Sequence, residues 1–197
     1  MPGQIYGPND QPLMVPEYTG KGSIVNLNGD EYIGDFKNGQ PDGTGVQKTG
    51  AGDEYRGTFV TGMRHGKGKA NFASGASYEG DWKLNKQHGT GLFVDYDGTI
   101  YQGEFVGNSK QGQGNCTLPD GSRMVGVWTK NVFEQGSLVL SNGTVFDGDW
   151  RGSNSAGVGT ITFPNGDSYN GEWVERLPHG NGKMFYKNGR VYTGEWD

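Results

Sequence analysis

Three histidines, one cysteine and a few closely spaced acids are the side chains best suited by type to do chemistry in this chain. Histidine titrates near neutrality and ligates metals, so His65, His88 and His179 could build a metal or proton-transfer site. Cys116 could serve as a nucleophile if a neighbouring base held it as thiolate. Asp95-Tyr96-Asp97-Gly98 reads like the opening of a calcium loop, where alternating carboxylates supply oxygen ligands. Gly-x-Gly pairs such as Gly66/Gly68 and Gly89/Gly91 could cradle a phosphate if they opened a helix. Which of these chemistries survives depends on the elements that carry the residues.

Those elements follow a period. An anchor with Gly two positions later recurs at Tyr32, Tyr55, Tyr78, Tyr101, Met124, Phe146, Tyr169 and Tyr192, in steps of 23, 23, 23, 23, 22, 23 and 23 residues. A second aromatic stands four residues past each anchor: Phe36, Phe59, Trp82, Phe105, Trp128, Trp150, Trp173 and Trp196. The Gly-x-Gly pair follows at a fixed phase, from Gly43/Gly45 through Gly112/Gly114 to Gly157/Gly159 and Gly180/Gly182. A fixed period of this size means a repeat array, in which each unit buries its apolar face against its neighbours.

In Tyr78-Glu79-Gly80-Asp81-Trp82, alternate residues share one face of an extended strand, so the two rings and the glycine point together. The small Gly80 is expected to leave room for a ring from the adjoining strand. A polar loop, Lys83 to His88, leads to Gly89-Thr90-Gly91, which opens a second strand over Leu92 to Tyr96. Asp97-Gly98 then gives a strong hairpin-turn signal before the next anchor, as do Asn28-Gly29, Asp120-Gly121, Asn142-Gly143, Asn165-Gly166 and Asn188-Gly189. No segment sustains a helical period. The pattern predicts an all-β fold: an elongated, twisted, single-layer antiparallel sheet of seven to eight 23-residue hairpin units over residues 18–197. Its 16 strands, at about 4.8 Å each, would span roughly 75 Å. Residues 1–17 hold four prolines and no alternation. They are expected to form an extended arm that cannot enter a regular sheet. Ile5, Tyr6, Leu13, Met14 and Val15 could strap along a neighbour.

On this frame the chemistry thins out. His65 and His88 fall one repeat apart, about 10 Å across two strand spacings, too far to share a metal whose ligands lie near 2 Å. Cys116 takes an inward strand position with no histidine in its repeat, which suits a small packed hydrophobe. The Asp95/Asp97 pair sits on a hairpin turn and lacks the later calcium ligands. The Gly-x-Gly pairs open strands, not helices. No catalytic residue, metal or cofactor is therefore expected. Net charge of −5 argues against nucleic acid. A lone cysteine excludes an intrachain disulfide framework and suits a reducing compartment. No apolar run reaches the 18 or so residues of a membrane span, and the N-terminus lacks a signal-peptide pattern. Glycine, at 38 residues, exceeds the usual ~7% almost threefold, yet it keeps fixed phases beside aromatics and so is structural.

The unit Tyr-x-Gly-x-Trp, loop, Gly-x-Gly and hairpin turn resembles the MORN repeat (membrane occupation and recognition nexus) over residues 18–197. The resemblance implies an antiparallel sheet used as an interaction platform, often dimerising through an end. Such repeats occur in cytoskeletal and ciliary scaffolds, radial-spoke head proteins, junctophilins, some phosphatidylinositol-phosphate kinases and a histone lysine methyltransferase. In the enzymes the chemistry resides in another domain. The chain is most similar in kind to stand-alone cytoskeletal members such as radial-spoke head proteins. One unit departs from the pattern: between Met124 and Phe146 the loop is one residue short and Glu134 replaces the first Gly of the pair, while Gly136 keeps the second.

Three surfaces invite binding. Outward positions carry Asp35, Glu79, Asp81, Glu104, Asp147, Asp149, Glu172 and Glu195, an acidic stripe along the back of the sheet. Loop residues Arg64, His65, Lys86, His88, Lys110, Arg176 and His179 share a phase that predicts a basic edge, where anionic phospholipid headgroups would have to bind. The irregular unit exposes Val125 and Val127 where neighbours show acids, with Val139 at a matching outward phase on the next strand, and adds Phe133 in its shortened loop, a candidate protein interface. The function expected is a non-catalytic scaffold of a cytoskeletal or ciliary (axonemal) assembly, located in the cytoplasm, with protein partners and a route to homodimers through unpaired end strands. The alternative is a peripheral module that tethers membranes through acidic lipids. Inward positions of the second strands are richer in apolar residues late in the chain (Leu138/Leu140, Ile161/Phe163) than early (Gln47/Thr49). Amide exchange is accordingly expected to be slower after residue 130 than before residue 60, and the opposite order would overturn that gradient.

Overall fold

A computed structural model describes residues 4–6, 12–13, 17–150, 152 and 155–197. The chain is all-β and antiparallel, with no helix among the described residues. It divides into two compact units. The first, up to Tyr96 together with Phe105–Asn108, contains β1 (Gln4–Tyr6), β2 (Pro12–Leu13), β3 (Gly20–Val25), β4 (Glu31–Lys37), β5 (Gln40–Lys48), β6 (Glu54–Val60), β7 (Met63–Asn71), β8 (Ser77–Lys83) and β9 (Lys86–Val94). The second, Asp97–Glu104 together with Ser109–Asp197, contains most of β10 (Ile100–Val106), then β11 (Ser109–Thr117), β12 (Arg123–Thr129), β13 (Val132–Val139), β14 (Val145–Trp150), β15 (Gly157–Thr162), β16 (Ser168–Val174), β17 (Leu177–Phe185) and β18 (Val191–Trp196).

In both units one face carries the rings, and those rings are the core. Anchors Tyr55, Tyr78, Tyr101 and Tyr169 are fully buried, as are the +4 aromatics Phe59 and Trp173 to within 2%. Tyr32, Tyr55 and Tyr78 each meet two +4 rings edge-on. Tyr55 lies 5.1 Å from Phe59 at 88° and 5.1 Å from Trp82 at 81°. Tyr78 repeats this with Trp82 and Phe105. Edge-to-face pairs of this kind add about 0.5–1.5 kcal/mol each beyond the area they bury. Three indole N–H groups donate to backbone, Trp82 Nε1 to Gly68 O at 3.0 Å, Trp128 Nε1 to Gly114 O at 3.2 Å and Trp150 Nε1 to Gly136 O at 3.0 Å, while Trp173 Nε1 and Trp196 Nε1 are buried without such a bond. The inward second-strand positions Leu138, Ile161 and Met184 are buried, whereas Ile24 and Gln47 are half-buried.

The glycines take a different role from the one expected. Gly57 faces Gly68 across the β6–β7 ladder, and the Tyr55 ring lies over both. The space is thus filled by the anchor of the same strand, not by a ring from the adjoining one. The tyrosine hydroxyl then donates to the carbonyl three residues on, Tyr55 to Thr58 at 3.1 Å and Tyr78 to Asp81 at 2.9 Å. Burial pushes the Tyr32, Tyr55, Tyr78 and Tyr101 hydroxyls up to about 12.

The expected polar loop is also replaced. Lys83 pairs directly with Lys86 across a two-residue turn in which Leu84 and Asn85 both have positive φ, 51° and 65°. That is the geometry favoured for tight hairpins, here built without the usual Asn-Gly or Asp-Gly signal. Gly-x-Gly therefore lies inside β9, not at its start. The register jumps from Gly80↔Gly91 to Asp81↔His88, so Gly89 and Thr90 form a bulge, with Gly89 at φ 57°. In the irregular unit the jump is from Val127↔Gln135 to Trp128↔Phe133, leaving Glu134 alone in the bulge. This accounts for the missing residue and for the missing first glycine.

The N-terminal arm corrects a further expectation. β1 joins the sheet, Ile5 pairing with Ile24 of β3 and with Leu13 of β2. The prolines leave the short stretch Gln4–Tyr6 free to pair, so this end of the first sheet is partly capped. Met14 and Val15 lie outside the described residues.

Gly68→Ala would drive a methyl into the Tyr55 ring at a position of ordinary φ, and is expected to cost about 1–3 kcal/mol in denaturant unfolding. Gly62→Ala, with open space but φ 78°, should cost only about 1–2 kcal/mol. Equal effects would show that the close approach does not matter. Raised tyrosine pKa values mean that the anchors' contribution is complete below the unfolded value of 10.0 and is lost as pH rises toward about 12. Absorbance and circular dichroism followed together should show tyrosine ionisation and unfolding coinciding in that window. Ionisation near 10 with structure intact would contradict it.

Candidate functional site

The reactive side chains end up dispersed. Cys116 is buried on the ring face opposite Met124, and burial pushes its thiol up despite nearby Lys110. His88 pairs with Asp81 and His179 with Glu172, both on the back face, in β9 and β17. Asp97 accepts the Thr99 N–H at 2.7 Å, a turn contact that holds its carboxyl below the usual range. Among the described residues no three His, Cys, Asp or Glu side chains gather closely enough to hold a metal ion.

The predicted basic edge does not form. Two of its members, Arg64 and Lys110, lie on the ring face, each two residues past a hairpin turn. Arg64 Cζ sits 5.0 Å from the Tyr55 ring centroid and 5.6 Å from that of Trp82, with Nε 3.0 Å from Gln47 Oε1. Burial draws its pKa down. Lys110 Nζ lies 4.9 Å from Tyr101 and 5.1 Å from Trp128. The equivalent position holds Pro41, Gln87, Phe133 and Pro178, each opposite a +4 aromatic. It is a lid over two rings, and in two units the lid is a cation stacked on them. His65, Lys86, His88 and His179 belong to the other face, and Arg176 occupies a turn at φ 65°. Reading the segment as one loop hid the strand alternation that separates these residues.

The acidic back is largely engaged in the fold. Asp35 accepts the Thr44 N–H and hydroxyl, each at 2.9 Å, and Asp81 accepts the Thr90 N–H at 2.9 Å. Glu104 accepts the Gln113 N–H at 3.0 Å. In each case the carboxylate satisfies the backbone donor that the bulge frees. Thr58 takes the same place in its unit and donates its hydroxyl to the His65 carbonyl. Lys67 pairs with Asp81 at 2.7 Å and Lys69 with Glu79 at 3.2 Å.

The four residues expected to form a protein interface divide between the two faces. Val125 is 49% exposed and Val139 37%, both on the back face, with Val127 half-buried beside them. Phe133 is excluded. It is 1% exposed on the opposite face, clamped between Trp128 at 5.1 Å and Trp150 at 5.5 Å, because the one-residue bulge delivers it to the lid position. What sequence reasoning missed is a shallow depression of about 240 Å³ next to the valines, lined by Ile100, Asn115, Thr117, Arg123 and Val125. Ile100 precedes its anchor by one residue, and strand phase alone could have placed it there.

Comparison with known proteins agrees with this geometry. The family model described as the MORN repeat matches residues 32–54, 55–77, 78–100, 101–123, 146–168 and 169–189. The unmatched stretch between them is the Met124 unit. Among solved structures, the TCP10 domain of Danio rerio CPAP in complex with a peptide of Danio rerio STIL is similar in fold, at 16% identity over 93% of this chain and 82% of that one, with a TM-score of 0.54. The same domain without the peptide gives 13% identity, 98% and 93% coverage and a TM-score of 0.50. No curated protein matches the chain in sequence. With six repeats matched over well over half its length, and rings, glycine pairs and hairpins arranged to the same period, the chain belongs to the MORN-repeat family.

Proposed function

We propose that the chain is a non-catalytic scaffold that binds other proteins within a cytoskeletal assembly, the ciliary axoneme being the setting suggested by its resemblance to stand-alone arrays. The observation that carries this reading is the exposed pair Val125 and Val139 on the back face of the irregular unit, with Val127 near them at the phase where most other units place an acid. Apolar groups that the fold leaves in water beside a depression that could take a side chain suit a protein contact. The similar TCP10 domain of Danio rerio CPAP is in complex with a peptide, which fits this use of the fold. Lipid binding is less well supported, because the cations that were to form one edge are divided between two faces.

The test compares tagged wild-type chain with Val125→Asp plus Val139→Asp, purified from ciliated cells. Wild type is expected to bring down cytoskeletal proteins that the variant loses, with circular dichroism unchanged. An identical set of co-purifying proteins would remove the interface. Flotation of the wild type with anionic vesicles, in the absence of any protein partner, would replace this reading with the membrane one.

A further inference from the structure

A repeat array carries its own control for what the fold asks of each position. On the back face, the residue just before each anchor and its cross-strand partners form one row running across the strands. Through the middle of the first unit, between Val25 and Val94, this row is charged or polar: Glu31 faces Lys48, Lys48 faces Glu54, Glu54 faces Asn71 and Asn71 faces Ser77. In the second unit the same ladder positions read Val139, Val145, Thr162, Ser168, Phe185 and Val191, each opposite the next. Val139, Phe185 and Val191 are 37%, 40% and 53% exposed. The first unit forms its ladders with charges in this row, so the backbone does not require apolar side chains there. Their presence in water along one row marks a surface made to be covered.

The dimensions and charges of the row indicate what covers it. From β13 to β18 there are five strand steps of about 4.8 Å, or roughly 24 Å. An α-helix of about 16 residues, rising about 1.5 Å per residue, has that length. Its apolar residues at alternating three- and four-residue intervals advance about 4.5–6 Å, close to the strand spacing. The strands beneath already commit their backbone groups to ladders, so a partner laid across them gains no main-chain bonds from this face, and a helix brings its own. Asp147 and Asp149 of β14 and Glu172 of β16 flank the middle of the row on the same face. The cations Arg123 and Lys183 stand toward its two ends.

We propose that this row docks an amphipathic α-helix of about four turns from a protein partner, with Lys or Arg on the flank that meets Asp147, Asp149 and Glu172. The assignment rests on the protein-binding reading above and names the form its partner takes.

The probe is a fluorescein-labelled amphipathic peptide of about 18 residues made of Leu and Lys, with a twin carrying Glu for every Lys, titrated with the full chain by anisotropy. The Lys peptide is expected to bind and the Glu twin to bind about tenfold more weakly or worse. Val139→Glu plus Phe185→Glu should weaken the Lys peptide by about tenfold or more, while Ile33→Glu, at an exposed site in the first unit, should leave it nearly unchanged. Should the double variant lose its fold by circular dichroism, Thr162→Arg, exposed in the middle of the row, gives the same reading. Undiminished binding by a folded row variant, or equal binding of both peptides, would overturn the proposal. If the chain captures cellular proteins that Val125→Asp plus Val139→Asp releases, yet binds neither peptide, the helix assignment fails while the protein-binding reading stands.

Discussion

The repeat depends on the close approach of two glycines in neighbouring strands, over which a tyrosine ring lies flat and donates its hydroxyl to the backbone. At Tyr55 this brings together Gly57, Gly68 and the Thr58 carbonyl. A Cβ at either glycine would displace the ring. With the ring held low, its edges are presented to two +4 aromatics, and the same contact recurs from anchor to anchor within each unit. A sheet with 31% hydrophobic residues and no second layer among its described elements can thereby bury its rings almost completely. Depth of core is replaced by interlocking within one face.

The bulge couples that face to the other. Two extra residues let the second strand restart its alternation so that a lid residue covers the rings, while the freed N–H turns to the back face. There a carboxylate three residues past the anchor receives it, as Asp35 does for Thr44 and Asp81 for Thr90. An acid at this phase thus has a structural duty, which explains why most of the back face is acidic without any ligand being invoked. Where the bulge shrinks to Glu134, no such acid is needed, and Val127 stands at that phase. The unit that departs from the pattern therefore carries Val127 where most other units place the acid.

A fold whose ring face is closed by its own residues leaves the back face and the turns for interaction. Equivalent ladder positions carry Glu31, Lys48 and Glu54 in the first unit and Val139, Val145, Phe185 and Val191 in the second. Function in such an array is written as a departure from the repeat, since positions that follow the period are already used by the fold.

The sequence by itself determined the period, the strand phases, the all-β architecture and the family, because ring, glycine and turn spacings are local signals that a one-dimensional array preserves. It also located Val125 and Val139, since back-face positions follow from alternation alone. Tertiary structure alone decided the fate of Phe133, Arg64 and Lys110. Their side is set by how many residues the bulge absorbs and by the two-residue turns that precede them, Thr61–Gly62 before Arg64, Gly107–Asn108 before Lys110 and Lys130–Asn131 before Phe133. A one-residue difference in register moves a side chain to the opposite face, and register is a property of the strand pair, not of either strand.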